Sequence, residues 1–93
     1  MMHDWTLLSI NFEWEKGVTL INLRNPKSQE VSVVARGTKK LIIPRQEGWG
    51  PSVSINDTEG PFPLENGNLY FSLEIQSGDN IELEAKGISL PHS

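Results

Sequence analysis

Apolar and polar residues alternate with a period of two along most of the chain, and no stretch of eleven or more residues keeps a helical stripe. From Thr6 to Trp14, Leu8, Ile10, Phe12 and Trp14 share one face and Ser9, Asn11 and Glu13 the other, the mark of a half-buried strand. Glu15-Lys16-Gly17 then reads as a three-residue hairpin loop with glycine at the left-handed position. That loop predicts Trp14 opposite Val18, Phe12 opposite Leu20 and Ile10 opposite Asn22. The turn cluster around Pro26 follows, and a four-residue loop from Asn25 to Ser28 predicts Leu20 opposite Val33 and Val18 opposite Ala35.

A short fourth strand is expected over Lys39 to Ile43, ended by Pro44, which cannot donate to a central ladder. A fifth is expected over Ser52 to Asn56. Asp57 to Gly67, with its prolines and glycines, reads as a long loop. The last hairpin sets Leu69, Phe71, Leu73 and Ile75 against Ile81, Leu83 and Ala85, and parity demands an odd-numbered loop, taken as Ser77-Gly78-Asp79. Ile75 then faces Ile81, and Leu73 faces Leu83.

These patterns predict one all-β domain over residues 1–93: a single antiparallel β-sandwich or flattened barrel of about seven strands, built from meanders and hairpins. No second domain, internal repeat or low-complexity segment is expected. Leu7, Ile21, Leu23, Val34 and Ile42 fall on the face opposite the predicted core, so a second sheet, the termini or a homodimer contact is expected to cover them.

Composition changes the picture in three ways. Ninety-three residues make one core of modest stability, and without cysteine neither disulfides nor thiolate metal sites can reinforce it. The first segment carries no basic stretch followed by a continuous apolar run, so secretion and membrane insertion are not expected and a cytoplasmic location is. Charge is split: residues 1–46 hold seven Lys/Arg against four acids, and residues 47–93 hold one against eight. Such a division steers charged partners.

Chemistry finds little support, and no enzyme activity, metal or cofactor is expected. Nucleophilic catalysis needs an oriented base, yet the only histidines are His3 and His92, near the chain ends. Gly50-Pro51-Ser52-Val53-Ser54 begins like a nucleophile elbow but lacks its second glycine and leads into a strand. Asn56 to Gly60 has oxygen-rich side chains without the spacing of a calcium loop, and His3, Asp4 and His92 would make a metal site only if the ends converged. No glycine-rich turn opens a helix to hold phosphate. Arg36, Lys39, Lys40 and Arg45 beside Trp49 have the composition of a small nucleic-acid surface, as on an OB-like barrel, but the acidic second half repels a polyanion.

Two surface features are left as candidate partner-binding sites. One is the loop from Pro44 to Pro51, where Arg45 and Trp49 have the composition of an interface anchor. The other is an acidic ridge, since the predicted register sets Glu74 opposite Glu82 with Glu84 diagonal to it, and like charges across a ladder destabilise it.

The run Ala35 to Leu41, the stretch Trp49 to Ile55 and the hairpin Leu73 to Leu83 together resemble small bacterial all-β proteins, some of which are immunity proteins of polymorphic toxin systems. The resemblance implies a non-enzymatic protein that binds and blocks a protein partner, and it carries over no functional residue. The leading expectation is therefore a protein-binding, immunity-like module. The alternative is a carbohydrate- or small-ligand-binding sandwich that uses Trp5, Trp14, Trp49 and Tyr70 as stacking platforms, with Trp14 assigned to the core.

Overall fold

In a computed structural model that describes residues 2–45 and 54–91, the alternating segments form six strands. They are β1 (Thr6–Glu13), β2 (Val18–Arg24), β3 (Glu30–Ile42), β4 (Ile55–Pro63), β5 (Leu69–Ile75) and β6 (Asn80–Ser89). All pairings are antiparallel within one sheet of order β1-β2-β3-β6-β5-β4. The all-β antiparallel class stands, but the division into seven strands does not. The strand expected over Lys39 to Ile43 is the far half of β3, which runs on through Gly37 in a left-handed conformation (φ 64°). Much of the stretch expected to be a loop, Asp57 to Gly67, is β4, an edge strand that accommodates Pro61 and Pro63 through a shift of register between Glu59 and Phe62. Gly60 sits in that shift at φ 92°, where a Cβ would collide with the carbonyl oxygen of Tyr70. Of the strand expected over Ser52 to Asn56, residues 52 and 53 lie outside the described residues, and Ile55 opens β4.

Turn chemistry sets each register, and two turns differ from expectation by one residue. The first loop has four residues, Trp14 to Gly17, because the Gly17 N–H reaches back to the Glu13 carbonyl oxygen at 2.9 Å. Glu13 therefore faces Val18, and Ile10 faces Ile21. Since side chains alternate, a one-residue slip turns every β2 side chain over. Thr19, Ile21 and Leu23 point into the core instead of Val18 and Leu20. A bulge between Leu7 and Ser9 then restores Leu7 to the core side and turns Leu8 outward. On the outer face Asn22 donates to Ser9 Oγ and Asn11 Oδ1 and accepts from Ser32 Oγ, which suits a polar residue facing water between three strands.

The β2–β3 turn is closed by Asn25 N–H to the Gln29 carbonyl at 2.9 Å, leaving Pro26-Lys27-Ser28 as the loop with Ser28 at φ 64°. Buried Asn25 caps it by accepting the N–H groups of Lys27 and Gln29 on Oδ1. Ile21 thus faces Val33, not Leu20. The β5–β6 loop is odd-numbered as parity required, but it is Gln76-Ser77-Gly78, closed by Ile75 N–H to the Asp79 carbonyl. That slip of two keeps the faces and changes the partners: Leu73 faces Ile81, and Phe71 faces Leu83.

Ile21, Leu23, Val33, Ala35, Ile55, Phe71, Leu73, Ile81, Leu83 and Ala85 form one buried cluster with Met2 and Trp5. The sheet curls around it far enough that its two edge strands touch. Thr6 bridges Ser54, the Ile55 N–H donates to the Trp5 carbonyl at 2.8 Å, and the Asp4 N–H donates to the Ile55 carbonyl at 2.9 Å. Of the apolar residues expected to need covering, Ile21 and Leu23 are core, Leu7 packs against it, Val34 is half-buried and Ile42 is exposed.

An internal repeat, not expected from the sequence, organises this sheet. Positions fifty residues apart match: Phe12 and Phe62, Glu15 and Glu65, Gly17 and Gly67, Leu23 and Leu73, Ala35 and Ala85, Gly37 and Gly87 are identical, and Val31/Ile81, Val33/Leu83 and Arg36/Lys86 are close. The left-handed turn residues Gly17 and Ser28 are matched by Gly67 and Gly78. The turn closures Ser28 N–H to Asn25 O and Gly78 N–H to Ile75 O are equivalent, as are the pairs Ile21 with Val33 and Phe71 with Leu83. In the middle, Ala35 with Ile88 and Thr38 with Ala85 are exchanged by a two-fold rotation between β3 and β6. The same rotation exchanges Trp5 with Ile55, which bond to each other where the edges meet. The chain is two copies of one three-stranded meander related by a pseudo-dyad. Equivalent core deletions should therefore cost alike: Leu23→Ala and Leu73→Ala, both fully buried, should each lose about 2–5 kcal/mol in denaturant unfolding, and a gap between them above about 2 kcal/mol would count against the equivalence.

Candidate functional site

The three glutamates singled out in the sequence lie on the outer face of β5 and β6, and each is held. Glu74 pairs across the ladder with Asn80, Glu82 with Ser72 and Glu84 with Tyr70, so Glu74 does not oppose Glu82 as expected. The slip of two separates them by one row. Asn56 Nδ2 donates to Glu74 Oε1 at 2.9 Å, and the Tyr70 hydroxyl donates to Glu82 Oε1 at 2.8 Å. Glu84 Oε2 accepts the side-chain amides of Asn68 and Asn66 at 2.9 and 3.1 Å. Those amides, with smaller help from Lys40 and Lys39, hold the Glu84 carboxyl below its ordinary value. Burial first, and then the bond to the Glu82 carboxylate, push the Tyr70 phenol above its ordinary value of 10.0. Beside this row, Asp57, Thr58, Glu59, Ser72 and Asn80 border a shallow acidic depression.

Arg45 is exposed just beyond β3 and makes no ion pair among the described residues. Trp49 lies outside the described residues, as do Gly50 to Val53 of the serine motif and His92. His3 Nδ1 meets the Asn56 carbonyl oxygen at 2.8 Å, and its Nε2 lies 3.5 Å from Asp4. Among the described residues no three His, Asp or Glu side chains converge as metal ligands, and no helix is long and apolar enough to cross a membrane.

Sequence reasoning assigned Trp14 to the core, and the four-residue loop places it outside. As first residue of that loop, just beyond the last β1 pair, it has no partner strand over it and stands 87% exposed. Phe12 meets it edge-on, with ring centroids 5.7 Å apart and planes at 82°. The two rings, Gly17, Thr38, Lys39, Lys40 and Leu41 line a half-open groove of about 410 Å³. Its floor is tied together: the Thr38 N–H donates to the Gly17 carbonyl at 2.9 Å, and the Thr38 and Thr19 hydroxyls bond at 2.8 Å. Both lysines are exposed and have no ion-pair partner among the described residues. An aromatic–apolar recess with a tied floor and two exposed ammonium groups beside it can bind. The left-handed preference of Gly17 was the signal that could have exposed Trp14, since it suits a four-residue loop as well as a three-residue one.

Comparison with known proteins finds no matching family model, no matching curated protein and no matching solved structure.

Tyr70 is the only tyrosine, so its titration reports on the acidic row directly. The raised phenol favours the neutral form in the fold, so its contribution to stability is present below the unfolded value and lost as pH rises through the folded one. Alkaline titration of tyrosinate absorbance should give a midpoint above that of unfolded chain, and Glu82→Gln should lower it. An unchanged midpoint in the variant would remove the Tyr70–Glu82 bond from the account.

Proposed function

We propose that this chain is a non-enzymatic protein-binding module, immunity-like in binding and blocking its partner and working in a reducing cytoplasm, with the Trp14 groove as its contact surface. One observation carries the reading: a tryptophan at 87% exposure in a domain small enough to need every large side chain it can bury. Leaving Trp14 wet forgoes roughly 1.5–3 kcal/mol of burial, and Trp5 shows that the core takes an indole where one is offered. Exposed indoles set in an apolar recess with a polar rim are what interface anchors look like before their partner arrives. The tied floor adds to this, because a contact surface that is already rigid loses little entropy on binding. The same reading takes the curled sheet, joined at Trp5 and Ile55, as a flattened barrel with the groove at one mouth.

A second reading, a small-ligand or carbohydrate site, is favoured by the paired rings of Phe12 and Trp14 and by a groove volume within the range of ligand sites. The two lysines weigh against a neutral sugar, which has no charge for them.

Affinity capture from native lysate separates the readings. Wild-type bait should retain a protein that Trp14→Ala bait loses and Glu82→Gln bait keeps, both variants giving the wild-type circular dichroism spectrum. The proposal fails if the two Trp14 forms capture the same proteins, or if a neutral sugar panel alters tryptophan fluorescence in wild type and not in Trp14→Ala.

A further inference from the structure

The pseudo-dyad supplies an internal control for the groove, because its lining has a counterpart in the second repeat. Phe12, Gly17 and Trp14 correspond in sequence to Phe62, Gly67 and Leu64, while on the ladder Lys40, opposite Glu84, corresponds to Ser89, opposite Val34, and Lys39 falls at a bulge of β3 that β6 does not share. In the second repeat Leu64 is half-buried, its N–H bonded to the Asn68 carbonyl at 2.8 Å, and Phe62, as exposed as Phe12, lies against Tyr70 with centroids 5.2 Å apart. The meander therefore folds without an exposed indole or a lysine pair at these positions. What the first repeat adds to the shared phenylalanine and glycine is one indole and two ammonium groups, and those three side chains describe a ligand.

Resting on the binding-module reading above, we infer that the Trp14 groove takes an acidic segment of a protein partner, one that places an apolar or aromatic side chain against Trp14 and Phe12 and flanking carboxylates against Lys39 and Lys40. The apolar half of the recess calls for a side chain with a face to stack. The lysines suit anions: no carboxylate forms an ion pair with either among the described residues, and Glu84, opposite Lys40 on the ladder, feels both only at longer range while its Oε2 accepts from Asn68 and Asn66. The rest of the charge restricts the anion to a short one. Glu59, Glu74, Glu82 and Glu84 lie along the second repeat, where the first carries Ser9, Arg24, Ser32 and Val34. A nucleic acid strand long enough to leave the groove meets that acidic half and is repelled, while an acidic protein segment of a few residues need not reach it.

The test uses the whole chain and four synthetic probes: an acidic peptide with a central phenylalanine, the same peptide with alanine at the centre, the same peptide with lysines for its acids, and a short oligothymidylate. Intrinsic tryptophan fluorescence reads binding, since none of the probes contains tryptophan. The acidic phenylalanine peptide should bind, lose affinity on replacing its phenylalanine or its acids, and weaken with added salt. Lys39→Gln/Lys40→Gln should raise its Kd at least about tenfold, and Trp14→Ala should abolish binding measured by calorimetry. Tighter binding of oligothymidylate, equal binding of the lysine peptide, or no response to the acidic peptide at millimolar concentration would each overturn the inference. Its failure is distinct from failure of the module reading: a partner captured through Trp14 but held equally by Lys39→Gln/Lys40→Gln leaves a binding module whose ligand is not acidic.

Discussion

The pairing of β3 with β6 holds the rest of the structure in place. Each three-stranded meander has one apolar face and, alone, an open edge along its third strand; three strands with a single wet flank are near the lower limit of independent stability. Joining β3 to β6 removes both edges at once and brings Ala35 and Ala85 beside the dyad, where small side chains let the two halves approach. Gly37 lies at this crossing in a left-handed conformation, and a Cβ there would meet the Lys86 side chain at 3.0 Å. With β3 and β6 joined, the curl brings Trp5 to Ile55 and the remaining edges meet.

Much of this was legible in the sequence and some of it was not, for reasons that trace to single turns. Periodicity identified β1, β2, β5 and β6 because the core is built from alternating residues, but it divided β3 and read most of β4 as a loop, and parity identified an odd loop between β5 and β6. Periodicity cannot choose between a three- and a four-residue loop when both sides of a strand carry apolar residues. In β2, Val18 and Leu20 compete with Ile21 and Leu23, and the capping by Asn25 and the reach of the Gly17 N–H decide the contest. The repeat was hidden for a related reason. Its identities are few, and the halves were read with different errors: the first one residue out of register, the second two, with β4 taken for a loop.

The candidate site follows the same division. The glutamates drew attention as an acidic row and proved to be bonded within their own face, their supposed opposition being a consequence of the register. Trp14 was passed over because alternation assigned it inward. Nothing in its neighbours along the chain says otherwise; only the pairing partner does, and that partner is set by the loop. A residue at the first loop position of a hairpin is beyond the ladder, so alternation no longer governs it.

Two copies of one meander share the demands of folding, so whatever they must both keep is visible as agreement between them: the left-handed turn residues, the leucines and alanines of the core, the phenylalanine at the rim. Agreement ends on the outer surface. One copy has gathered carboxylates, hydrogen-bonded by its own asparagines and tyrosine; the other carries fewer, Glu13 and Glu30 among its strand residues, and has a recess beside an exposed indole. The second copy builds the equivalent pairing of its last two strands and its share of the core without an exposed indole, through a hairpin turn of its own in which the Leu64 N–H bonds the Asn68 carbonyl. The Trp14 groove, where an indole stands 87% exposed and the matching leucine is half-buried, is the place where the two copies part most plainly.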